Sequence, residues 1–195
     1  MLIFFIIVML LAAFGVSCLI KKSAKTLSSI AFVTSLTELV AITVIVSGVI
    51  KNGSYPLAQY FLVDSLGAIL LMILGVVGFV ASWYSAGYLQ AEVKKEIIGF
   101  RRVKQYFLLL HLFLFAMFVA VSTTNPILTW IAVEATTLST AFLISFYNKP
   151  SAMEAAWKYL IISSLGLLFA FFGTLLFLYP ALHAGQHGLI TWQTL

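Results

Sequence analysis

Apolar residues gather in six long runs separated by polar or breaker-rich connections. The runs read Leu2 to Ile20, Leu27 to Ile50, Phe61 to Leu89, Tyr106 to Ser122, Ile127 to Phe146 and Ala152 to Tyr179. A helix crosses the hydrocarbon core of a bilayer with about 20 mostly apolar residues, so each run predicts a spanning helix. The third and sixth runs exceed that need, which predicts tilt or projection beyond the membrane. The first run could pass for a secretory signal, even a lipoprotein one because Ser17-Cys18 lies near its end. No basic region precedes it, however, and Lys21, Lys22 and Lys25 follow it. That order predicts a retained first helix with its N-terminus outside.

Turn chemistry marks several boundaries independently. Gly53 and Pro56 separate the second run from the third. Asn125-Pro126, after Ser122-Thr123-Thr124, suits a helix N-cap with proline in the first helical position, so the fourth connection is predicted to be tight. After Lys149-Pro150, Ser151-Ala152-Met153-Glu154 reads as a capping box, with Ser151 and Glu154 each bonding the other's backbone. The tail 180–195 is polar and contains Gly and His.

Composition agrees with the runs: 63% of the 195 residues are hydrophobic and only 9% charged, too apolar for a water-soluble fold. The formal charge of +5 does not point to nucleic acid, because the basic residues lie between the runs. Lys21, Lys22, Lys25, Lys94, Lys95, Arg101, Arg102, Lys104 and Lys149 all fall in odd-numbered connections. Lys51 alone falls in an even one, so the positive-inside rule places the odd connections in the cytoplasm and both chain ends on the other side. The single cysteine, Cys18, excludes a disulfide framework and a multi-cysteine metal or cluster site within the chain. The fold class is therefore an all-α polytopic membrane protein of about six transmembrane helices.

An ionisable group at membrane depth costs about 2.5–3.5 kcal/mol on insertion scales and needs a reason to be there. Glu134 lies eight residues past Pro126, roughly 12 Å down a helix and near the middle of the core. Thr137, Ala141 and Ser145 share its face, together with Leu138 and Trp130, a mostly small or polar surface suited to a bundle interior. Lys158 lies roughly 10 Å in from the opposite interface, within reach of Glu134 through one or two waters. Such an acid and base can load and release a proton between them. A plainer reading pairs Lys158 with Glu154, four residues earlier in the favoured acid-first order.

Three other residues are candidates for the same proton pathway. His111 can shuttle protons near neutral pH or act as a hydrogen-bonded packing residue. Glu38, beside Thr34 and Ser35, is either a second protonatable site or a neutral acid that holds helices together. Thr137 offers a hydroxyl near Glu134. Asp64 reads by default as a cap at the outer start of the third span. His183 and His187 are four apart, but Pro180, Gly185 and Gly188 argue against a helix there, and no third metal ligand is near. Gly67, Gly75, Gly78, Gly166 and Gly173 are expected to mark close helix packing. No phosphate-cradling loop occurs, and no catalytic, cofactor-binding or metal-binding residue is assigned.

The stretch HLFLFAMFVAVSTTNPILTWIAVEATTLSTAFLISFYNKPSAMEAAWKYLI, followed by SSLGLLFAFFGTLLF, resembles hydrogenase-4 component F, an antiporter-like membrane subunit of the formate hydrogenlyase type. VDSLGAILLMILGVVGFVASWYSAGYL resembles the third helix of the same family. This family is similar to the proton-pumping subunits of complex I and the large subunits of multisubunit cation/proton antiporters. The resemblance implies a membrane-bound subunit in the prokaryotic cytoplasmic membrane, without a redox centre or cofactor of its own. It would couple electron transfer in a hydrogenase or NADH dehydrogenase-like complex to proton or sodium movement. Glu134, in the EATT motif, maps onto the central acid of the half-channel, and Lys158, in EAAWKY, onto the lysine at the start of the sixth helix.

Members of that family have about fourteen helices built on inverted repeats, so six runs correspond to the N-terminal portion, an incomplete first repeat. The implied division is 1–105 for the first three helices, 106–179 for the start of the conducting repeat, and 180–195 for the tail. The remaining helices would come from a continuation of the chain or from a separate partner chain; a truncated product is the third option. Alternative functions are a non-conducting assembly subunit, a component of a multisubunit cation/proton antiporter, and a small independent transporter.

Overall fold

The computed structural model describes residues 24–183 and 191–192. Within them five helices are long and apolar enough to cross a membrane: α1 (Ala24–Asn52), α2 (Ser65–Lys94), α3 (Phe100–Ser122), α4 (Pro126–Ile144) and α5 (Pro150–His183). They correspond to the second through sixth predicted spans, and the chain is a multi-pass membrane protein. The first predicted span, Leu2 to Ile20, lies outside the described residues, as do Cys18 and His187.

Successive helices run antiparallel. α1, α2 and α3 pack on one another, α4 packs on α3, and α5 packs chiefly on α4. One buried apolar cluster, including Ile45, Val49, Val63 and Phe118, lies toward the C-terminal end of α1. A second, including Leu27, Leu89, Val103 and Phe146, lies at the other end. Lys94, Lys95, Arg101, Arg102, Lys104 and Lys149 all sit at this second, basic end, and Lys51 sits at the other.

The local boundaries follow from caps. Gly53 adopts φ +77° and its N–H bonds the Val49 carbonyl at 2.7 Å, a left-handed stop that glycine adopts without steric cost. The third run does not open as a helix at Phe61. Tyr55–Ala58 (β1) and Phe61–Val63 (β2) form a short antiparallel hairpin, with Tyr55 opposite Val63. Helix α2 begins only after Asp64, whose Oδ1 accepts the Gly67 N–H at 2.7 Å. Phe61, Leu62 and Val63 are as apolar as the helix that follows, so hydropathy alone merges the two.

The hairpin docks on the α3–α4 turn. The Tyr60 carbonyl accepts both the Thr124 N–H at 2.8 Å and the Thr123 hydroxyl at 3.1 Å. Asn125 caps α4 as its sequence predicts, accepting from Ile127 N at 2.9 Å and Leu128 N at 3.2 Å, with Pro126 first in the helix. Beyond α5, Trp192 returns to this turn: its backbone N–H bonds the Thr124 carbonyl at 3.0 Å and its indole N–H the Thr129 hydroxyl at 3.1 Å.

Two boundaries at the basic end and one at the hairpin end differ from expectation. α3 starts at Phe100, so Arg101, Arg102 and Lys104 occupy its first turns and the expected division after residue 105 falls inside the helix. Cations at a helix N-terminus oppose the dipole by about 0.3–1 kcal/mol each, a cost that packing at this end outweighs. The capping box of Ser151 and Glu154 does not form: α5 already opens at Pro150, the Met153 N–H bonds the Lys149 carbonyl, and the Glu154 carboxylate turns to Lys158. α5 also runs to His183, three residues past Pro180, where the sequence predicted a non-helical tail. Of the glycines, Gly75 and Gly78 do mark close packing, since a methyl on Gly78 would lie 2.9 Å from Leu114 Cδ2 and one on Gly75 3.0 Å from Ile42 Cδ1. At Gly67 the nearest atom is the capping oxygen of Asp64, at 2.9 Å, and Gly166 and Gly173 have nothing within 4 Å, so neither lies at a close helix crossing among the described residues.

Candidate proton site at Glu134

α4 is 19 residues long, about 28 Å at 1.5 Å per residue, and Glu134 stands eight residues from its first residue and ten from its last. Glu134 is therefore near the midpoint of the folded helix. Ser164 of α5 donates its hydroxyl to Glu134 Oε1 at 2.7 Å. About one turn nearer the hairpin end, the Trp130 indole N–H bonds the Thr174 hydroxyl at 3.0 Å and ties the same two helices together. Between them lies a groove of about 590 Å³ lined by Trp130, Ile131, Glu134, Leu138, Ser164 and Phe171. Its walls are almost wholly apolar, so the carboxyl and the serine hydroxyl are the chemistry it offers.

Hydroxyls crowd this part of α4. Thr136, Thr137, Ser139 and Thr140 each bond a carbonyl three or four residues back, the Thr137 hydroxyl reaching the Glu134 backbone carbonyl at 2.8 Å. Such bonds satisfy the donor at membrane depth and leave oxygen lone pairs free to accept. Thr137 therefore lies beside Glu134 but bonds its main chain rather than its carboxylate.

Lys158 is not drawn into the groove. Its ammonium pairs with Glu154 at 2.5 Å, both side chains being mostly exposed (70% and 67%) on α5. Six residues, about 9 Å of helix rise, separate Lys158 from Ser164. The plainer of the two sequence readings describes the observed contact. His111 is buried in α3, with Nδ1 held by the Phe107 carbonyl at 2.7 Å, and Glu38 lies on the packed side of α1. Neither bonds Glu134. No group of three or more His, Cys, Asp or Glu that could hold a metal occurs among the described residues.

Two features escaped sequence reasoning. Ser164 lies in a mid-span Ser163-Ser164 pair, and that polar interruption was the available signal. At the basic end Glu92 is buried near the end of α2, and both of its oxygens accept from the Tyr147 hydroxyl, at 2.9 and 3.0 Å. Tyr147 also shares a hydrogen bond with Tyr88 at 2.9 Å. Desolvation, with the bonds to Tyr88 and Glu92, holds its phenol above the ordinary range. Nothing in a single sequence separates Glu92 from the charged residues around it.

Comparison with known proteins decides the family. No protein-family profile matches. The chain is 30% identical over 142 residues to a hydrogenase-4 component F homolog of Methylacidiphilum infernorum, covering 72% of this chain and 30% of that protein. It is 31% identical over 131 residues to NADH-quinone oxidoreductase subunit L of Neisseria meningitidis, covering 62% of this chain and 18% of that one. The chain belongs to the antiporter-like membrane subunit family. Its fold agrees: it superposes on a chain of the membrane-bound sulfane sulfur reductase, an archaeal respiratory membrane complex, with a TM-score of 0.61 at 18% identity. That match covers 86% of this chain and 34% of the other. The chain thus spans about 30% or less of the length of these curated relatives.

Proposed function

We propose that this antiporter-like chain is a membrane subunit, or part of one, in a hydrogenase-4/formate hydrogenlyase-like or NADH dehydrogenase-like complex. There it takes part in moving protons, or sodium, in step with electron transfer elsewhere in the complex. The observation that carries the reading is Glu134, a mid-membrane carboxyl whose one described side-chain partner, Ser164, can itself pass a proton. A carboxyl at that depth is costly unless it is used or covered, and only an apolar groove surrounds it. Ion handling is assigned to 106–179, with Glu134 as the group that loads and releases. Lys158 would join only after leaving Glu154.

The groove and the apolar face of α5 call for cover by further helices, from a continuation of the chain or from a separate subunit. Trp157, Ile161, Phe169 and Phe177 are among the exposed residues of α5. The basic end is assigned to the cytoplasm of a prokaryotic cell by the positive-inside rule. A second reading, a non-conducting assembly subunit, draws on the exposed Lys158–Glu154 pair, which spends the second charge on a local contact. The two part company when Glu134→Gln is introduced into the assembled complex and proton uptake is measured in vesicles. Lost coupling with normal copurification supports conduction, and undiminished coupling overturns it.

A further inference from the structure

Three buried side-chain atoms of α1, α2 and α3 have no hydrogen-bond partner among the described residues: Glu38 Oε1, Ser82 Oγ and His111 Nε2. Ser82 and His111 are 0% and 6% exposed. An unsatisfied buried polar atom costs roughly 1–3 kcal/mol, so three in one small bundle require an explanation. Their positions along the helices supply one.

On α2 and α3, Gly78 abuts Leu114 and the Ser85 hydroxyl bonds the Tyr106 hydroxyl at 2.6 Å, which fixes the antiparallel register. Ser82 lies four residues past Gly78 and His111 three residues before Leu114. Both are therefore displaced by about 4.5–6 Å from one contact toward the other and stand at nearly one level. On α1, Leu39 and Ile42 abut Gly75, and the Phe32 ring packs against Phe79 and Trp83. Glu38 falls between these contacts, beside Gly78 and about one turn from Ser82. All three lie on the packed stripes of their helices, between the apolar cluster at the hairpin end and the one at the basic end. Toward the basic end, Ser85 is taken by Tyr106 and Glu92 by Tyr147.

We propose that Glu38, Ser82 and His111 form a second proton-binding site, bridged by water and separate from the Glu134 groove. The His111 tautomer is set by the backbone. A carbonyl can only accept, so Nδ1 carries a proton toward Phe107, and Nε2 is the nitrogen that receives the next one. A bridging water joins Glu38 to Nε2, with Ser82 as an additional partner, satisfying all three orphan atoms. The protonated Glu38 carboxyl gives its proton to the water, which gives one of its own to Nε2. Carboxylate and imidazolium result, and the reverse step restores the neutral pair.

This deepens the ion-conducting reading by adding a protonatable site outside 106–179 on two of the three helices, but its test does not depend on transport. The full chain in lipid nanodiscs is examined by infrared difference spectroscopy across a pH step, in wild type and in Glu38→Gln, Ser82→Ala, His111→Gln and Glu134→Gln. The expected result is a protonated-carboxyl carbonyl band that is absent in Glu38→Gln, present in Glu134→Gln, and shifted to higher frequency in Ser82→Ala and His111→Gln. If His111→Gln does not fold, Ser82→Ala decides alone. No Glu38-dependent band, a band unmoved by the neighbouring substitutions, or loss of the band on adding sodium at fixed pH would overturn the proposal. A transport defect in Glu134→Gln bears on the conducting reading only.

Discussion

Ser164 Oγ, on α5, stands 2.7 Å from Glu134 Oε1, on α4, a hydrogen bond between residues 30 apart in sequence near the middle of both helices. A bond to a carboxylate contributes about 1.5–3 kcal/mol, and about 1.4 kcal/mol corresponds to a factor of ten in rate. Ser164→Ala is expected to lower coupled proton uptake roughly tenfold. Ser164→Thr, which keeps the hydroxyl, should stay close to wild type. Uptake in vesicles from the two variants at matched subunit content checks this.

Thr123 works in both directions. Its hydroxyl donates to the Tyr60 carbonyl and accepts the Asn125 N–H at 3.2 Å, joining the hairpin to the α3–α4 turn. Thr123→Val keeps the shape and removes both bonds, which should destabilise the chain by about 1–3 kcal/mol. Denaturant titration in detergent measures the loss. Limited proteolysis should show cleavage rising first between Tyr55 and Val63.

Gly48 lies under Tyr55, and a Cβ there would come within 2.5 Å of the ring at Cδ2. Gly48→Ala therefore displaces the tyrosine ring rather than the helix backbone. The expected signature is the same early cleavage of the hairpin as in Thr123→Val, with helix content by circular dichroism unchanged.

Asp64 ends the hairpin and caps α2. Asp64→Ala should cost about 0.5–2 kcal/mol, while Asp64→Asn, which can still accept from the Gly67 N–H, should retain most of that stability. Parallel denaturant titrations of the two variants separate capping from charge.

At the basic end the Tyr147 phenol is held above its ordinary value of 10.0 by desolvation and its bonds to Tyr88 and Glu92. For a raised acid the unfolded chain loses its proton first, so this stabilisation is whole below the ordinary phenol value and is lost as pH climbs through the folded one. Stability should fall with pH above about 10, and Tyr147→Phe should flatten that slope. The same substitution removes the hydroxyl that both oxygens of the buried Glu92 share, so it should lower stability at neutral pH as well.

The six apolar runs and the placement of positive charge announced a polytopic fold because membrane depth imposes a length and a composition that local packing cannot disguise. Asn125-Pro126 was equally legible, since a cap is made by neighbours in sequence. Phe61 to Val63 was not: a strand and a membrane helix can share the same apolar residues, and only pairing with Tyr55 to Ala58 separates them. Glu134 could be singled out because a lone mid-span carboxyl is costly in any fold. Its partner could not, because which α5 residue faces it depends on helix rotation, and that is set by contacts such as Trp130 with Thr174. Lys158 shows the opposite risk, a charge whose depth suggested a distant partner while its neighbour Glu154 was within reach.

The return of Trp192 to Thr124 and Thr129 gives the Glu134 groove a mechanical character. The link from Ser145 to Lys149 joins α4 and α5 at the basic end, and at the other the tryptophan ties residues beyond α5 to the start of α4. On the same side of the groove the Trp130–Thr174 bond joins the two helices directly, so α4 and α5 are held together on both sides of Glu134. Between those two ties the Glu134 carboxyl meets the Ser164 hydroxyl, so relative bowing or twisting of the pair there bears directly on that hydrogen bond.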